Sequence, residues 1–209
     1  MFLFLLLPLV LGSPALAGDS SDASMASASE SARKAEYKRL HEEFQRLVKR
    51  NAWSGAERTY QAMLETGVEP SFEDLKTAAQ VAQAFGRVHV VHQRLVAASK
   101  LQEDKEVLEA LWAIDDNYGQ VYLAGNPGEA TLRAQKTPFD PTHARAVEHA
   151  VETVEKTGMF DGLLPKGVYE FSGREVDVRP RVSQQRIDLR TDEGIRKSRR
   201  ALRKADRKD

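Results

Sequence analysis

The chain has no cysteine among its 209 residues. That excludes disulfides, thiolate metal sites, iron–sulfur clusters and cysteine nucleophiles. Aromatic residues are scarce, at 7%, so a core must be built mainly from Leu, Val and Ala. Neither sign of charge is in excess, because 31 Lys plus Arg balance 31 Asp plus Glu. This balance argues against a globally basic nucleic-acid binder, though not against a local basic patch. Catalytic signatures are missing too. There is no Gly-x-Ser-x-Gly, His-Glu-x-x-His, phosphate loop or Gly-x-Gly-x-x-Gly. The length suits one domain or two small ones.

What the sequence does have begins at its start. Residues 2–17 read FLFLLLPLVLGSPALA and carry no charge. The apolar run over residues 2–11 is one leader-peptide core long and too short to span a bilayer of roughly 30 Å. Gly12, Ser13 and Pro14 break it, and Ala15-Leu16-Ala17 offers small residues where a signal peptidase reads. The pattern predicts export, cleavage after Ala17 and a mature start at Gly18. Residues 18–31 hold six Ser and three Ala. Such a composition buries too little apolar area to offset ordering entropy, so a flexible linker is expected.

From Ala32 the periodicity becomes helical. Tyr37, Leu40, Phe44, Leu47 and Val48 share one face, and Ala56, Tyr60, Met63 and Leu64 form the next stripe. Ser71 with Asp74 three residues on resembles a capping box. It opens a third helix lined by Phe72, Leu75, Ala79 and Ala82 and closed by Gly86. A fourth carries Val88, Val91, Leu95 and Ala98. A fifth, from near Glu103, carries Val107, Leu111, Ile114 and Tyr118, with Leu108 and Trp112 beside them. Short connections make these antiparallel helical hairpins.

The stretch Ala56-x3-Tyr60-x2-Met63-x3-Gly67-Val68-x-Pro70, followed by Leu75 and Gly86, resembles the tetratricopeptide and pentatricopeptide families of helical-hairpin repeats. The likeness covers about one and a half repeats. Thirty-five residues on, Val91, Leu95 and Ala98 keep the apolar character of Ala56, Tyr60 and Met63 but not the Gly and Pro punctuation. The resemblance implies a groove that binds a protein or peptide; for pentatricopeptide repeats it implies RNA. A generic helical bundle gives the same stripes.

The second half reads differently. Gln120 to Leu123 and Thr131 to Ala134 flank the turn signal Gly125-Asn126-Pro127-Gly128, which suggests a hairpin. Asp140-Pro141 is an N-cap with Pro at the first helical position. The helix it opens carries Ala144, Val147, Val151 and Val154 and ends at Gly158. Val168-Tyr169-Glu170-Phe171, turned by Ser172-Gly173 into Val176-Asp177-Val178, is the best β-hairpin in the chain. The lead-in Pro165-x-Gly167-x-Tyr169 is similar to fragments of bacterial surface β-sandwich modules, yet two strands do not make a sandwich.

Candidate chemistry is thin. His89 and His92 sit three apart on one helix without a third ligand nearby. His143 and His149, six apart, face different ways. Asp115-Asp116-Asn117 lacks the alternation and late Glu of a calcium loop. No metal and no cofactor are expected, and no catalytic residue is nominated. Residues 186–209 carry ten basic and five acidic side chains and residues 1–18 none, so residues 19–185 are net −5. That acidic body is a poor match for a phosphate backbone, so no nucleic-acid partner is expected. Arg196, Lys197, Arg199, Arg200, Arg203 and Lys204 are the candidate surface-binding residues. Thr191 or Asp192 is placed to cap a helix from about Glu193, and Ile195 and Leu202 are its only large apolar side chains. These cations suit an anionic envelope surface.

The expected molecule is mainly α: an antiparallel helical-hairpin, repeat-like array over 32–122, a small α/β element with a β-hairpin over 123–183, and a basic tail over 184–209. It is expected to be an exported, periplasmic or cell-surface protein of bacterial type that binds or scaffolds a protein or peptide. The alternatives are an envelope hydrolase with its site between helical body and hairpin, and an RNA-binding repeat protein.

Overall fold

The structure, a computed structural model, describes residues 20–136 and 139–191. The leader reading over residues 1–17 and the six candidate tail cations lie outside those residues. Five helices come first: α1 (Ser20–Lys49), α2 (Trp53–Glu65), α3 (Phe72–Ala84), α4 (Val88–Leu101) and α5 (Lys105–Asn117). Six strands and one more helix follow: β1 (Tyr118–Ala124), β2 (Leu132–Ala134), α6 (Pro141–Thr157), β3 (Met159–Pro165), β4 (Gly167–Phe171), β5 (Arg174–Val178) and β6 (Gln185–Asp188). A mainly α chain with a small α/β element is therefore what the sequence folds into. No described helix is long and apolar enough to cross a membrane.

The helices begin where local chemistry says they should. Ser71 accepts a hydrogen bond from the Asp74 backbone N–H while Asp74 accepts from the Ser71 N–H, a complete capping box. Asp104 caps α5 through Val107 N–H, and Asp140 caps α6 through the N–H groups of Thr142 and His143. Helices α1 and α2 bury Leu40, Phe44, Ala56, Tyr60 and Met63 against Ala78 and Val81 of α3. Helices α3, α4 and α5 share a second core around Leu75, Ala82, Val91, Leu95 and Val107, which also takes in Tyr118 and Ala146.

The α/β element is larger than its sequence suggested. It contains two three-stranded sheets, ordered β3-β1-β6 and β2-β4-β5. Strand β1 pairs antiparallel with β3 and parallel with β6. The hairpin β4–β5 has Tyr169 opposite Val176. Its two-residue turn has φ of 47° at Ser172 and 82° at Gly173, the double positive φ of a type I′ turn. Tyr169, Phe171, Val176 and Val178 share one core with Val147, Ala150 and Val154 of α6 and with Val121, Leu123, Phe160 and Leu164 of the other sheet.

Four expectations are corrected. The Ser/Ala segment is helical from Ser20 rather than a linker; Ala is the best helix former, and extending a helix already nucleated past Ala32 costs little. The helical body ends at Asn117, because residues 118–124 form β1. The turn at Gly125 to Gly128 makes no hairpin: β1 and β2 lie in different sheets, so it carries the chain from one to the other. Residues 185–188 are not tail but strand β6 beside β1.

Candidate functional site

The body meets the α/β element at a close backbone approach. Gly86, at φ +69°, sits against the first half of α6 so tightly that a Cβ there would lie 2.2 Å from the Arg145 carbonyl oxygen. Beside this joint lies a cavity of about 600 Å³ bounded by α3, α4, α5 and the start of α6. Its floor is apolar, with Ala79, Val88, Val91, Leu95, Val107 and Ile114. An amphipathic helix buries one stripe against its neighbours, and here the stripes of three helices converge without filling the space between them.

The cavity has two polar regions. At one rim Lys76 bonds Glu106 at 2.8 Å and lies 3.7 Å from Asp104, so its charge is spent within the rim. The other end is formed by Asn117 and Tyr118, where α5 passes into β1, and by Asp140, Thr142 and His143 at the start of α6. Tyr118 is 6% exposed. Its ring meets the His143 ring edge-on, with centroids 5.1 Å apart. Burial, helped by the Asp140 charge, pushes the Tyr118 phenol up to about 12, so it stays protonated. Among the described residues its hydroxyl has no hydrogen-bond partner. A buried polar group is normally satisfied, and leaving one unpaired costs about 1–3 kcal/mol. The Asp140 carboxyl is held below its ordinary value by the backbone N–H groups of His143 and Thr142, and it makes no salt bridge among the described residues.

Neither Tyr118 nor His143 makes a side-chain hydrogen bond to the other or to Asp140. Among the described residues the end of the cavity thus shows no nucleophile held by a base, the arrangement acyl hydrolysis requires. A second polar cluster lies elsewhere, between α1 and α3. Buried Asp74 accepts from Tyr37 Oη at 2.7 Å, Ser71 Oγ at 2.6 Å and His41 Nδ1 at 2.7 Å. Ser71 and His41 both point at the carboxylate rather than at each other, which is a structural lock and not a catalytic triad. Burial raises the Asp74 carboxyl, but the hydrogen bonds from Ser71, Tyr37 and His41 outweigh it and bring it below the ordinary value.

The histidines weighed as ligands fall apart in space. His89 Nε2 contacts Gln93 at 2.8 Å, and His92 lies 3.5 Å from Asp115. Asp116 pairs with Arg181 instead. Among the described residues no group of three His, Asp or Glu stands close enough to hold a metal. His143 lies at the cavity end, while half-buried His149 stacks edge-on against Phe160.

The cavity residues were missed for a definite reason. Tyr118 continues the helical stripe four residues after Ile114 and also begins an alternating strand, so both periods claim it. Asp140 was legible as a cap and His143 as an imidazole, but nothing in sequence joins residues 118 and 140. Compared with protein-family models, curated proteins and solved structures, the chain matches none.

Proposed function

We propose that this chain is an exported, non-enzymatic binding or scaffold protein that engages a protein or peptide partner through the groove of its helical hairpins. The observation that carries this reading is the cavity of about 600 Å³, with an apolar floor on α3, α4 and α5 and hydrogen-bonding groups at both ends. Binding sites combine these features: apolar area for affinity, and a few placed polar groups for orientation. The resemblance to tetratricopeptide repeats points to the same use of a helical groove. The charge-free leader and its Ala15-Leu16-Ala17 end support export, and intact mass of secreted protein should start at Gly18.

The test is capture of a partner by the mature chain, compared with an Ala113→Trp variant. Ala113 lines the cavity from an exposed position on α5, so an indole there fills the groove without entering the core. A partner retained by the wild type and lost by the variant at equal thermal midpoint supports groove binding. Equal capture by both removes it.

A further inference from the structure

The described part of the chain and the part beyond Thr191 are chemically complementary. The described residues are net −3, whereas residues 192–209 carry eight basic and four acidic side chains, net +4. Within that segment an apolar residue followed by Arg-Lys occurs twice, seven residues apart: Ile195-Arg196-Lys197 and Leu202-Arg203-Lys204. We propose that the segment of residues 192–209 occupies the cavity of its own chain, with Leu202 on the apolar floor and Arg203 and Lys204 at the end formed by Asn117, Tyr118 and Asp140. The inference rests on the groove-binding reading and names the groove's resident competitor.

Three observations converge on it. The first is the Tyr118 hydroxyl, buried, protonated and without an acceptor among the described residues. A backbone carbonyl of an incoming peptide supplies that acceptor, which neither a cation nor an apolar molecule does. The second is charge. Lys76 is already matched by Glu106 and Asp104, while Asp140 makes no salt bridge among the described residues, so that end of the cavity favours a cation over an anion. Beside the apolar floor this favours a peptide with an apolar anchor next to Arg or Lys.

The third is reach. Thr191 is held at Asn126, where its N–H and Oγ1 both approach Asn126 Oδ1, at 3.2 and 3.3 Å. Asn126 lies just past one end of β1, and Tyr118 is the other end. A strand rises about 3.3 Å per residue, so the two ends of the seven-residue β1 stand about 20 Å apart. Ile195 is four residues beyond Thr191 and extends at most about 14 Å. Leu202 is eleven beyond and extends to about 38 Å. Leu202, not Ile195, is therefore the anchor that arrives at the cavity. Tethering makes the event intramolecular, at an effective concentration in the millimolar range. A weak contact is then enough to keep the groove filled until a stronger partner displaces it.

The absence of cysteine makes the test clean. In the full chain, Ala113→Cys with Ala205→Cys is treated with a short bifunctional maleimide, and Ser54→Cys on α2 with Ala205→Cys serves as control. Efficient intramolecular cross-linking is expected for the Ala113 pair and at least fivefold less for the Ser54 pair. Adding Leu202→Asp or Asp140→Asn should lower the Ala113 yield at least fivefold, as should high salt. Equal yields from the two pairs, or an Ala113 yield untouched by Leu202→Asp, overturn the proposal. If cross-linking fails while Ala113→Trp still abolishes partner capture, self-docking falls and the groove reading stands. If both fail, the groove has been misread.

Discussion

Tyr60 shows how a single side chain ties the helical body together. It is 3% exposed, packs 5.7 Å from the Phe44 ring of α1, and has the Arg94 guanidinium of α4 4.6 Å above its own ring. Arg94 is itself buried, bonding both oxygens of Glu57 at 2.6 and 2.9 Å and the Ala78 carbonyl at 2.7 Å. One aromatic thus joins α1, α2 and α4. Tyr60→Ala should cost about 3–5 kcal/mol, the usual range for a deleted buried aromatic, and leave Arg94 without its cation–π partner. An unchanged thermal midpoint would show that the stripe is not the core.

Asp74 makes a different prediction at the same scale, one that depends on pH. Its carboxyl is more acidic folded than unfolded, because Ser71, Tyr37 and His41 all bond the anion. The folded state is thus favoured above the unfolded carboxyl value of about 3.9, and the gain disappears as pH falls through the lower folded value. Asp74→Asn should lower the midpoint at pH 7, and the gap to wild type should narrow below about pH 4. A gap that widens in acid would contradict the hydrogen-bond assignment.

At the scale of elements, what sequence could show was whatever local chemistry decides. The capping box of Ser71 and Asp74, the Asp140-Pro141 start, the Gly158 stop and the Ser172-Gly173 hairpin are all written in a few adjacent residues, and all form. Elements fixed by distant partners were not legible. Strand β6, Gln185–Asp188, has a single large apolar side chain, Ile187, and exists by pairing with β1. Strand β3 contains Asp161 and Gly162 and is held by β1 on one edge and α6 on one face. The cavity failed to show for the same reason, since its ends come from α5 and α6. The joint between the halves depends on Gly86. Alanine there would combine a left-handed backbone, about 1–2 kcal/mol for a non-glycine residue, with a Cβ inside the Arg145 backbone. Gly86→Ala should push α6 off the helical body, seen as one calorimetric transition splitting into two. A single transition at the wild-type temperature would mean that the two halves are not coupled through this contact.

The whole molecule is neutral only as a sum. Along the sequence the described residues are net −3 and residues 192–209 net +4, and the segment carrying those cations has two surfaces to choose between. Each basic residue near an anionic membrane contributes about 1 kcal/mol, so residues 192–209 suit such a surface as well as the cavity. The cut that separates the segment falls after Thr191 and not earlier, because Arg190 is part of the fold: it bonds Asp188 at 2.5 Å and Tyr122 Oη at 3.2 Å. Removing residues 192–209 should therefore leave the thermal midpoint nearly unchanged while abolishing co-sedimentation with anionic vesicles at low salt. If the segment also occupies the cavity, the two sites compete, and weakening one must strengthen the other. Asp140→Asn, which removes a cavity charge that makes no salt bridge among the described residues, should then co-sediment with vesicles more strongly than wild type. The change lies in the body and adds no cation to the segment, so tighter vesicle binding can come only from the released tail or from one charge less repulsion. An Asp116→Asn control, away from the cavity, separates these: it removes the same charge and should leave vesicle binding near the wild-type level. Equal gains from both substitutions would assign the effect to net charge, and the segment would then serve the membrane alone.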